Sequence, residues 1–456
     1  MSHARTLVSL LVPVTLLTLA ACDGDKNGDS SGDSADTSGA SGAQDILTTD
    51  LQLDLANRSA TATIVARPAS GSGEIVLEAG GLSIQEVRVG GAAAAVTLTS
   101  GTLRVPVPDD ATATVAVDYT FPARTIDTFD GWMPNLGVTF TWPDHCANLF
   151  PCHPGMDDGV TFTMGVTGVP AGETAVYGAS TFTDAPAYMA AVAVGDYTRL
   201  ELGTTSAGTN IVAYYLPVGD AEAVARHGTA HLVPSFDFFE QTYGPYAFGP
   251  ESGSVQVDWG WDSYGGMEHH PYSHVASFDF GVEEVHVHEA AHAWFGDGVR
   301  LACWEDFVLS EGTVTYMASR GLEESGAGDL WDYYMLFLDP ICNGGDVNAI
   351  ALPDETCNEI DFENAPLWSM VPYMKGACFY EEVADAIGVE VLDSVIADFY
   401  VTHVNDTGRM QEMIDALTAR ATPEQRAAID VAVQDWLRTE ACPADYRERC
   451  TTHVGG

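Results

Sequence analysis

The chain has 456 residues, of which 46% are hydrophobic and 10% aromatic. This length exceeds what one compact domain usually needs, and the apolar content can supply real cores, so two domains are expected. The 65 acidic residues outnumber the 18 basic ones and give a formal net charge of −47. That charge excludes nucleic acid as a partner, because its phosphates would be repelled.

The N-terminus has the pattern of an export signal. Arg5 supplies positive charge, residues 7–19 form an apolar run, and Leu19-Ala20-Ala21-Cys22 resembles a bacterial lipobox. We predict a lipoprotein signal peptide over residues 1–22 and acylation of Cys22, with ordinary secretion and a chance cysteine as the alternative. The predicted location is extracytoplasmic, in a bacterial cell envelope, on the periplasmic face or at the cell surface. Because no later segment is long and apolar enough to cross a bilayer, the N-terminal lipid is the only membrane attachment expected.

Composition then changes along the chain. Residues 23–45 are mostly Gly, Ser, Asp and Ala, which predicts a disordered acidic linker. From residue 46 to residue 203, short β-prone runs punctuated by Gly, Pro and Asp predict a mostly antiparallel β domain. The predicted strands include Thr61–Ala66, Glu74–Glu78, Ile84–Val89, Leu103–Val107 and Thr114–Tyr119.

Helical patterns take over in residues 204–456, which we predict to form the catalytic domain. The predicted helices are Val282–Trp294, Phe307–Arg320, Tyr373–Ile387, Val389–Tyr400 and Ile429–Arg438. The predicted fold class is therefore α+β, an N-terminal antiparallel β domain followed by a mainly helical domain.

Nine cysteines are present, and eight remain once Cys22 is acylated. An exported protein can oxidise them. Short separations favour Cys146–Cys152, Cys342–Cys357 and Cys442–Cys450, which leaves Cys303 with Cys378. Disulfide connectivity does not follow from sequence, so these pairings are hypotheses. The alternative is that the cysteines are free buried thiols.

The strongest chemical signal is His288-Glu289-Ala290-Ala291-His292, followed after eighteen further residues by Glu311. Positions four apart share a face of a helix, so His288 and His292 can point at one ion. Two histidines and a carboxylate leave one position of a tetrahedral zinc open, as catalysis requires. Glu289 is placed to take a proton from water at that position. We predict one Zn²⁺ per chain on His288, His292 and Glu311 in a thermolysin-like domain; a structural helix is the alternative reading of HExxH alone.

These residues resemble the aminopeptidase N-like zinc metallopeptidases of peptidase family M1. The family's zinc motif, HExxH followed by eighteen residues and Glu, is present here in full. Upstream, Gly265-Gly266-Met267-Glu268-His269 looks like the family's Gly-Ala-Met-Glu-Asn exopeptidase motif. Downstream, Tyr373-Met374-Lys375-Gly376 looks like its Tyr-x-Lys-Gly element. The chain stops soon after Asp435-Trp436-Leu437, so the resemblance implies a short form that lacks the C-terminal helical domain of longer members.

The resemblance implies a role for each motif. Glu289 is the general base, and Tyr373 stabilises the oxyanion that forms on the peptide carbonyl. Glu268 binds the free α-amine of a peptide substrate, with Gly265, Gly266 and Met267 beside it.

Other polar residues crowd this region of the sequence. Asp297 and Asp306 are candidates to orient the ligating imidazoles as hydrogen-bond acceptors, and the alternative for either one is a helix cap or a surface charge. Four further histidines indicate either a second metal or side chains that line a pocket or face solvent: His269, His270, His274 and His286.

The N-terminal half departs from the family pattern. Many members place Gln and Glu some ten and eight residues before a Phe-Pro-Cys segment, positions that are Phe140 and Trp142 here. Neither can bind an ammonium as a carboxylate does, and Asp144 is the candidate substitute. The leading hypothesis is a zinc-dependent aminopeptidase that hydrolyses the N-terminal peptide bond through a zinc-activated water. The alternatives are an endopeptidase or hydrolase of N-blocked peptides, and a non-catalytic zinc-containing surface binding protein. Oligomeric state is left open.

Overall fold

The computed structural model describes residues 43–108, 111–260, 264–344, 350–353 and 367–451. The predicted signal peptide, Cys22, most of the predicted linker and Cys357 lie outside the described residues. In the described ranges, no helix combines the length and the apolarity that a bilayer span needs.

The described N-terminal half forms three sheets. A seven-stranded sheet has the spatial order Phe182–Ala185, Val160–Thr167, Asp45–Asp54, Ser59–Arg67, Ala113–Thr120, Ser83–Val89 and Ala92–Ala93. A four-stranded sheet has the order Thr174–Tyr177, Val192–Gly195, Val138–Phe140 and Gly131–Met133. A three-stranded sheet has the order Glu74–Glu78, Thr102–Pro106 and Thr97–Thr99.

The predicted strands are present with bounds that differ by a residue or two at most. They form because every second side chain enters the core, as Ala60, Ala62 and Ile64 do in Ser59–Arg67. The pairing is mixed rather than purely antiparallel. Asp45–Asp54 runs parallel to Val160–Thr167, whereas its other neighbour is antiparallel. A parallel neighbour that lies more than a hundred residues away leaves no turn signal in the sequence.

Asp158 holds the start of this parallel pair. Both carboxylate oxygens accept from the backbone N–H of Ile46, at 3.2 and 3.3 Å. The side chain is buried, and burial raises the pKa of Asp158 to about 7. The hydrogen bond from Ile46 opposes that shift, and the nearby carboxylates of Asp45 and Asp157 add to it.

We expect stability to depend on pH through Asp158. A carboxyl whose pKa is raised by folding stabilises the fold fully below its unfolded pKa and loses that contribution as pH rises through about 7. Urea unfolding at pH 5 and pH 8 should show the wild type losing about 3 kcal/mol relative to Asp158→Asn. A difference that is constant over this range would contradict the assignment.

The described C-terminal half combines a sheet with helices. A five-stranded sheet has the order Thr198–Thr204, Asn210–Tyr215, Glu251–Val257, Tyr272–Ala276 and Gly266–Met267. A two-stranded sheet pairs Val299–Leu301 with Asp406–Gly408. The α-helices are Ala221–Gly228, Leu232–Thr242, Glu283–Ala291, Phe307–Ser325, Trp331–Cys342, Met370–Ile387, Val389–His403, Met410–Arg420, Pro423–Ala432 and Tyr446–Arg449. Shorter helical turns are His145–Asn148, Ala187–Met189, Trp304–Asp306 and the π-helical Val433–Leu437.

Helix ends explain where the prediction and the structure differ. The last predicted helix begins earlier, at Pro423, because Thr422 and Gln425 form a capping box. Phe307–Ser325 continues to a left-handed Gly326, whose φ is 87°. Within the described ranges, the prediction missed four helices of eight residues or more: Ala221–Gly228, Leu232–Thr242, Trp331–Cys342 and Met410–Arg420.

The disulfides correct most of the predicted pairings. Cys146–Cys152 forms as predicted. The other predicted pairings that involve described cysteines are wrong, because Cys342 is bonded to Cys442 and Cys378 to Cys450. These bonds join cysteines 100 and 72 residues apart, so packing of the C-terminal segment against earlier helices selects them rather than closeness in sequence. Cys303 is also disulfide-bonded.

Candidate metal centre

The three predicted metal ligands converge. The Nε2 atoms of His288 and His292 lie 3.2 and 3.4 Å from Oε2 of Glu311, and all three side chains are buried. Burial by itself would raise the pKa of Glu311, but the facing imidazoles lower it to about 2. Two imidazole nitrogens and a carboxylate oxygen this close together could hold one metal ion. This donor set is the one that holds a catalytic Zn²⁺ and leaves a position open.

One helix and the turn that follows it position His288 and His292. His288 lies in Glu283–Ala291, the ligand helix, and His292 caps the C-terminal end of that helix. Nδ1 of His292 lies 3.0 Å from the carbonyl oxygen of Phe295. Because Nδ1 donates to this carbonyl, Nε2 keeps its lone pair for a metal. The chain then turns sharply at Gly296, whose φ is 105°, and a Cβ there would lie 2.7 Å from Nδ1 of His292.

Two glycines set the distance between the other site helices. Glu311 lies in Phe307–Ser325, the carboxylate helix, and Tyr373 in Met370–Ile387, the tyrosine helix. A Cβ on Gly376 would lie only 2.5 Å from Cα of Gly312. The glycines that follow Glu311 and Tyr373 in their motifs therefore let the two helix backbones approach each other closely.

We expect Gly376→Ala to damage both stability and activity. The added methyl group meets backbone, so the helices must separate, at a cost of about 1–3 kcal/mol. Tyr373 lies one turn away and would shift relative to Glu311. Thermal unfolding should show a lower melting temperature, and kcat/KM of the proposed reaction should fall at least about tenfold. An unchanged melting temperature would contradict the close approach.

Glu289 lies in the same cavity as the ligands, which has a volume of about 340 Å³. Burial is the main cause that raises the pKa of Glu289 well above its ordinary value. A Cβ on Gly266 would lie 2.1 Å from Oε1 of Glu289, so a larger residue at position 266 would displace that carboxylate. The glycine of the upstream motif thus makes room for the predicted base. Gly265 and Met267 line the cavity as well.

Tyr373 and Glu268 complete the predicted set. The ring of Tyr373 stacks on His288, with ring centroids 5.7 Å apart. Burial raises the pKa of the Tyr373 hydroxyl well above its ordinary value, so it keeps its proton and can donate. The ligand atoms of Glu268, Glu289 and His292 all lie within 4.8 Å of one another. One cavity is therefore lined by the three predicted ligands together with Glu268, Glu289 and Tyr373.

The two departures from the family pattern form an aromatic wall. Phe140 is buried and stacks on Tyr264, with ring centroids 5.4 Å apart. Trp142 lies edge-on to Trp368 at 5.3 Å and lines the metal-site cavity. Trp142 also borders an adjoining cavity of about 590 Å³. Asp144, the candidate substitute for the missing carboxylate, lines only this second cavity of the two.

The remaining candidates serve the fold around the site. Asp306 accepts hydrogen bonds from Arg409 and from the backbone N–H of Met410. The four further histidines are buried, and in the described ranges none joins a three-residue cluster that could hold a metal. His286, for example, is bonded through both ring nitrogens, to Ser254 and to the carbonyl of Phe280.

The sequence analysis missed Tyr188. Its hydroxyl lies 2.8 Å from Oε1 of Glu268 and 2.6 Å from Oδ1 of Asp297. A single tyrosine in the apolar segment 187–194 has no periodicity or motif that would have identified it. Asp297 thus belongs to the surroundings of Glu268, whereas the sequence analysis had related it to the imidazoles.

The amino-acid sequence is similar to those of known proteins. Residues 269–436 match the model of the peptidase family M1 domain. The chain is 26% identical over 227 residues to human endoplasmic reticulum aminopeptidase 2, a match that covers 46% of this chain and 23% of that protein. It is 25% identical over 287 residues to leucine aminopeptidase 2 of Coccidioides immitis, covering 56% and 44%. The matches span less than half the length of these relatives.

Solved structures share the fold. The M1 zinc metallopeptidase from Deinococcus radiodurans has a TM-score of 0.70 at 20% identity, covering 87% of this chain and 95% of that chain. Native yeast LTA4 hydrolase has a TM-score of 0.71 at 18% identity, covering 88% and 69%. The predicted α+β fold class is confirmed. The chain thus combines this fold with the ligand pattern HExxH plus a downstream Glu, and the M1 zinc metallopeptidase from Deinococcus radiodurans is similar to it in fold. More narrowly, the part of the chain that carries most of these motifs, residues 269–436, is the part that matches the peptidase family M1 model.

Proposed function

We propose that this protein is a zinc-dependent aminopeptidase that removes N-terminal residues from peptides. The observation that carries the proposal is the position of Glu268. Its carboxylate lies within 4.8 Å of the ligand atoms of Glu289 and His292, at the wall of one cavity. A carboxylate there can bind the ammonium of a peptide and present only the first peptide bond to the metal ligands. Both curated relatives described above are named aminopeptidases.

Each step of the proposed reaction is assigned to particular residues of the chain. His288, His292 and Glu311 would hold one Zn²⁺, which when bound supplies a Lewis acid that lowers the pKa of water. Glu289 accepts a proton from the attacking water and delivers it to the leaving amine nitrogen. The Tyr373 hydroxyl donates to the carbonyl oxygen as negative charge develops there, a contribution typically worth about 3–4 kcal/mol.

The direct test compares free and N-acetylated forms of one peptide. The zinc-loaded protein should release the first residue of the free peptide and leave the acetylated form intact, as read by mass spectrometry. Cleavage of the acetylated form or at internal bonds would favour the endopeptidase alternative, to which the aromatic replacements at Phe140 and Trp142 point. Stoichiometric zinc with no turnover on a peptide library would instead favour a binding protein.

The proposed substrates have a large apolar side chain beside the scissile bond. The adjoining cavity shares Trp142, Tyr264, Met370 and Tyr373 with the metal-site cavity. Phe307 also lines it, so an apolar side chain entering from the metal site would be surrounded by aromatic rings.

We expect kcat/KM for a phenylalanine arylamide to exceed that for the alanine arylamide at least about tenfold, because burying an aromatic side chain is worth more than burying a methyl group. Trp142→Ala should reduce this ratio by about tenfold, since it removes part of the wall. Rates on both substrates give the ratio. A ratio that Trp142→Ala leaves unchanged would contradict the assigned pocket.

We also propose that Cys22 is acylated and anchors the protein at the extracytoplasmic face of a bacterial envelope. The apolar run of residues 7–19 and the lipobox-like Leu19-Ala20-Ala21-Cys22 support this. Expressed in a bacterial host, the wild type should partition into detergent and Cys22→Ser into the aqueous phase. Equal partitioning would contradict the anchor.

A further inference from the structure

Tyr188 reaches the site from the N-terminal half of the chain. It lies in the helical turn Ala187–Met189, is 2% exposed, and its backbone carbonyl accepts a hydrogen bond of 2.6 Å from the hydroxyl of Thr141. Hydrogen bonds therefore fix both the backbone and the side chain of Tyr188. The tyrosine hydroxyl ends between two carboxyl groups, those of Glu268 and Asp297.

A tyrosine hydroxyl has one proton, so it donates to one of these carboxyl groups and accepts from the other. Asp297 is fully buried, and its Oδ2 has no hydrogen-bond partner in the described part of the chain. The nearest basic group, Nε2 of His270, is 3.8 Å from that oxygen, too far for a hydrogen bond. The Tyr188 hydroxyl, in contrast, lies within hydrogen-bonding distance of both Glu268 and Asp297 and can donate to Glu268.

Glu268 keeps one oxygen for another partner. Oε1 accepts from the hydroxyl of Tyr188 at 2.8 Å, which is the one side-chain hydrogen bond that the described residues make to Glu268. The side chain lines the metal-site cavity and is 7% exposed. A carboxylate held by one oxygen and open at the other is arranged to receive a cationic ligand from the cavity.

We propose that Tyr188 is a positioning residue through which the N-terminal half of the chain orients Glu268 for the α-ammonium group of the substrate. This inference rests on the proposed function, in which Glu268 is the amine anchor. Without the hydroxyl, Glu268 gains rotational freedom, and it faces Asp297 with no donor between them. Binding of an ammonium group should weaken, whereas binding of the rest of the ligand should not change.

The test measures binding to the zinc-loaded protein by calorimetry. Two probes differ only at the amine: L-phenylalanine and N-acetyl-L-phenylalanine. The wild type should bind the free amino acid more tightly, and Tyr188→Phe should weaken that binding about tenfold while changing the acetylated probe less than about twofold. Zinc content should remain one per chain. Equal weakening for both probes, or no weakening for either, would overturn the inference.

Tyr197 offers a matched control. Its hydroxyl also makes one hydrogen bond to the C-terminal half, to the carbonyl of Gln256 at 2.9 Å, but it does not line the metal-site cavity. Tyr197→Phe should leave both affinities within about twofold of the wild type. In a Glu268→Gln background, Tyr188→Phe should cause no further loss, because its effect passes through Glu268. Additive losses would indicate a general structural role and contradict the proposal.

Two failures are distinguishable. A wild type that binds both probes equally would refute Glu268 as the amine anchor and with it the proposed function. A wild type that prefers the free amine, with Tyr188→Phe behaving identically, would refute only the role of Tyr188. Should Tyr188→Phe not fold, Glu268→Asp withdraws the carboxylate from the hydroxyl instead. Glu268→Asp should weaken binding of L-phenylalanine but not of N-acetyl-L-phenylalanine. Unchanged binding of L-phenylalanine would count against the proposal.

Discussion

Glu289→Gln is expected to lower kcat/KM on aminoacyl arylamides by at least about a thousandfold, because positioned acid–base catalysis typically contributes 10²–10⁴-fold. The glutamine has nearly the same shape but cannot take a proton from water. Glu289 is 6% exposed and lies against Gly266, so the substitution leaves the packing of the site in place. Zinc content should remain one per chain, which separates loss of the base from loss of the metal.

Glu283→Gln is the control on the same helix. Glu283 is paired with His231 at 2.6 Å and does not line the metal-site cavity. The kcat/KM of Glu283→Gln should stay within about threefold of the wild-type value. A Glu289→Gln protein with full activity would refute the proposed mechanism.

His292→Ala is expected to abolish stoichiometric zinc binding. It removes one of three ligand atoms that lie within 4.8 Å of one another. A remaining pair of ligands does not make a tetrahedral site with one open position. Because a metal that binds only the folded state stabilises it, a chelator should lower the melting temperature of the wild type. The melting temperature of His292→Ala should not respond to the chelator.

Elemental analysis and thermal unfolding with and without chelator provide both readouts. His231→Ala is the control, since His231 is half-buried and bonded to Glu283 instead of facing the ligands. It should retain one zinc per chain. Full zinc content in His292→Ala would show that the three side chains are not the metal site.

The sequence was most informative where the chemistry is local. His288 and His292 lie four positions apart on a helix, so their shared face follows from helical geometry. The strand Ser59–Arg67 follows from alternation of buried and exposed side chains, which a few consecutive residues reveal. Glu311 and Tyr373 came from motif spacing, and the structure places both beside the histidines.

Contacts between distant segments were decided by the tertiary structure. The partners of Cys342 and Cys378 depend on how the C-terminal segment packs, which sequence separation does not encode. The approach of Gly312 to Gly376 requires both helices to be in place.

The fold class and the convergence of His288, His292 and Glu311 could thus be predicted from the sequence by itself, because short-range periodicity and motif spacing specify them. Tyr188 shows what such reasoning cannot reach. It lies 80 residues before Glu268 and 109 before Asp297, and its role depends on one hydroxyl meeting two carboxyl groups. Only the folded chain brings these three groups together, since hydrogen bonds between segments so far apart leave no periodic trace in the sequence.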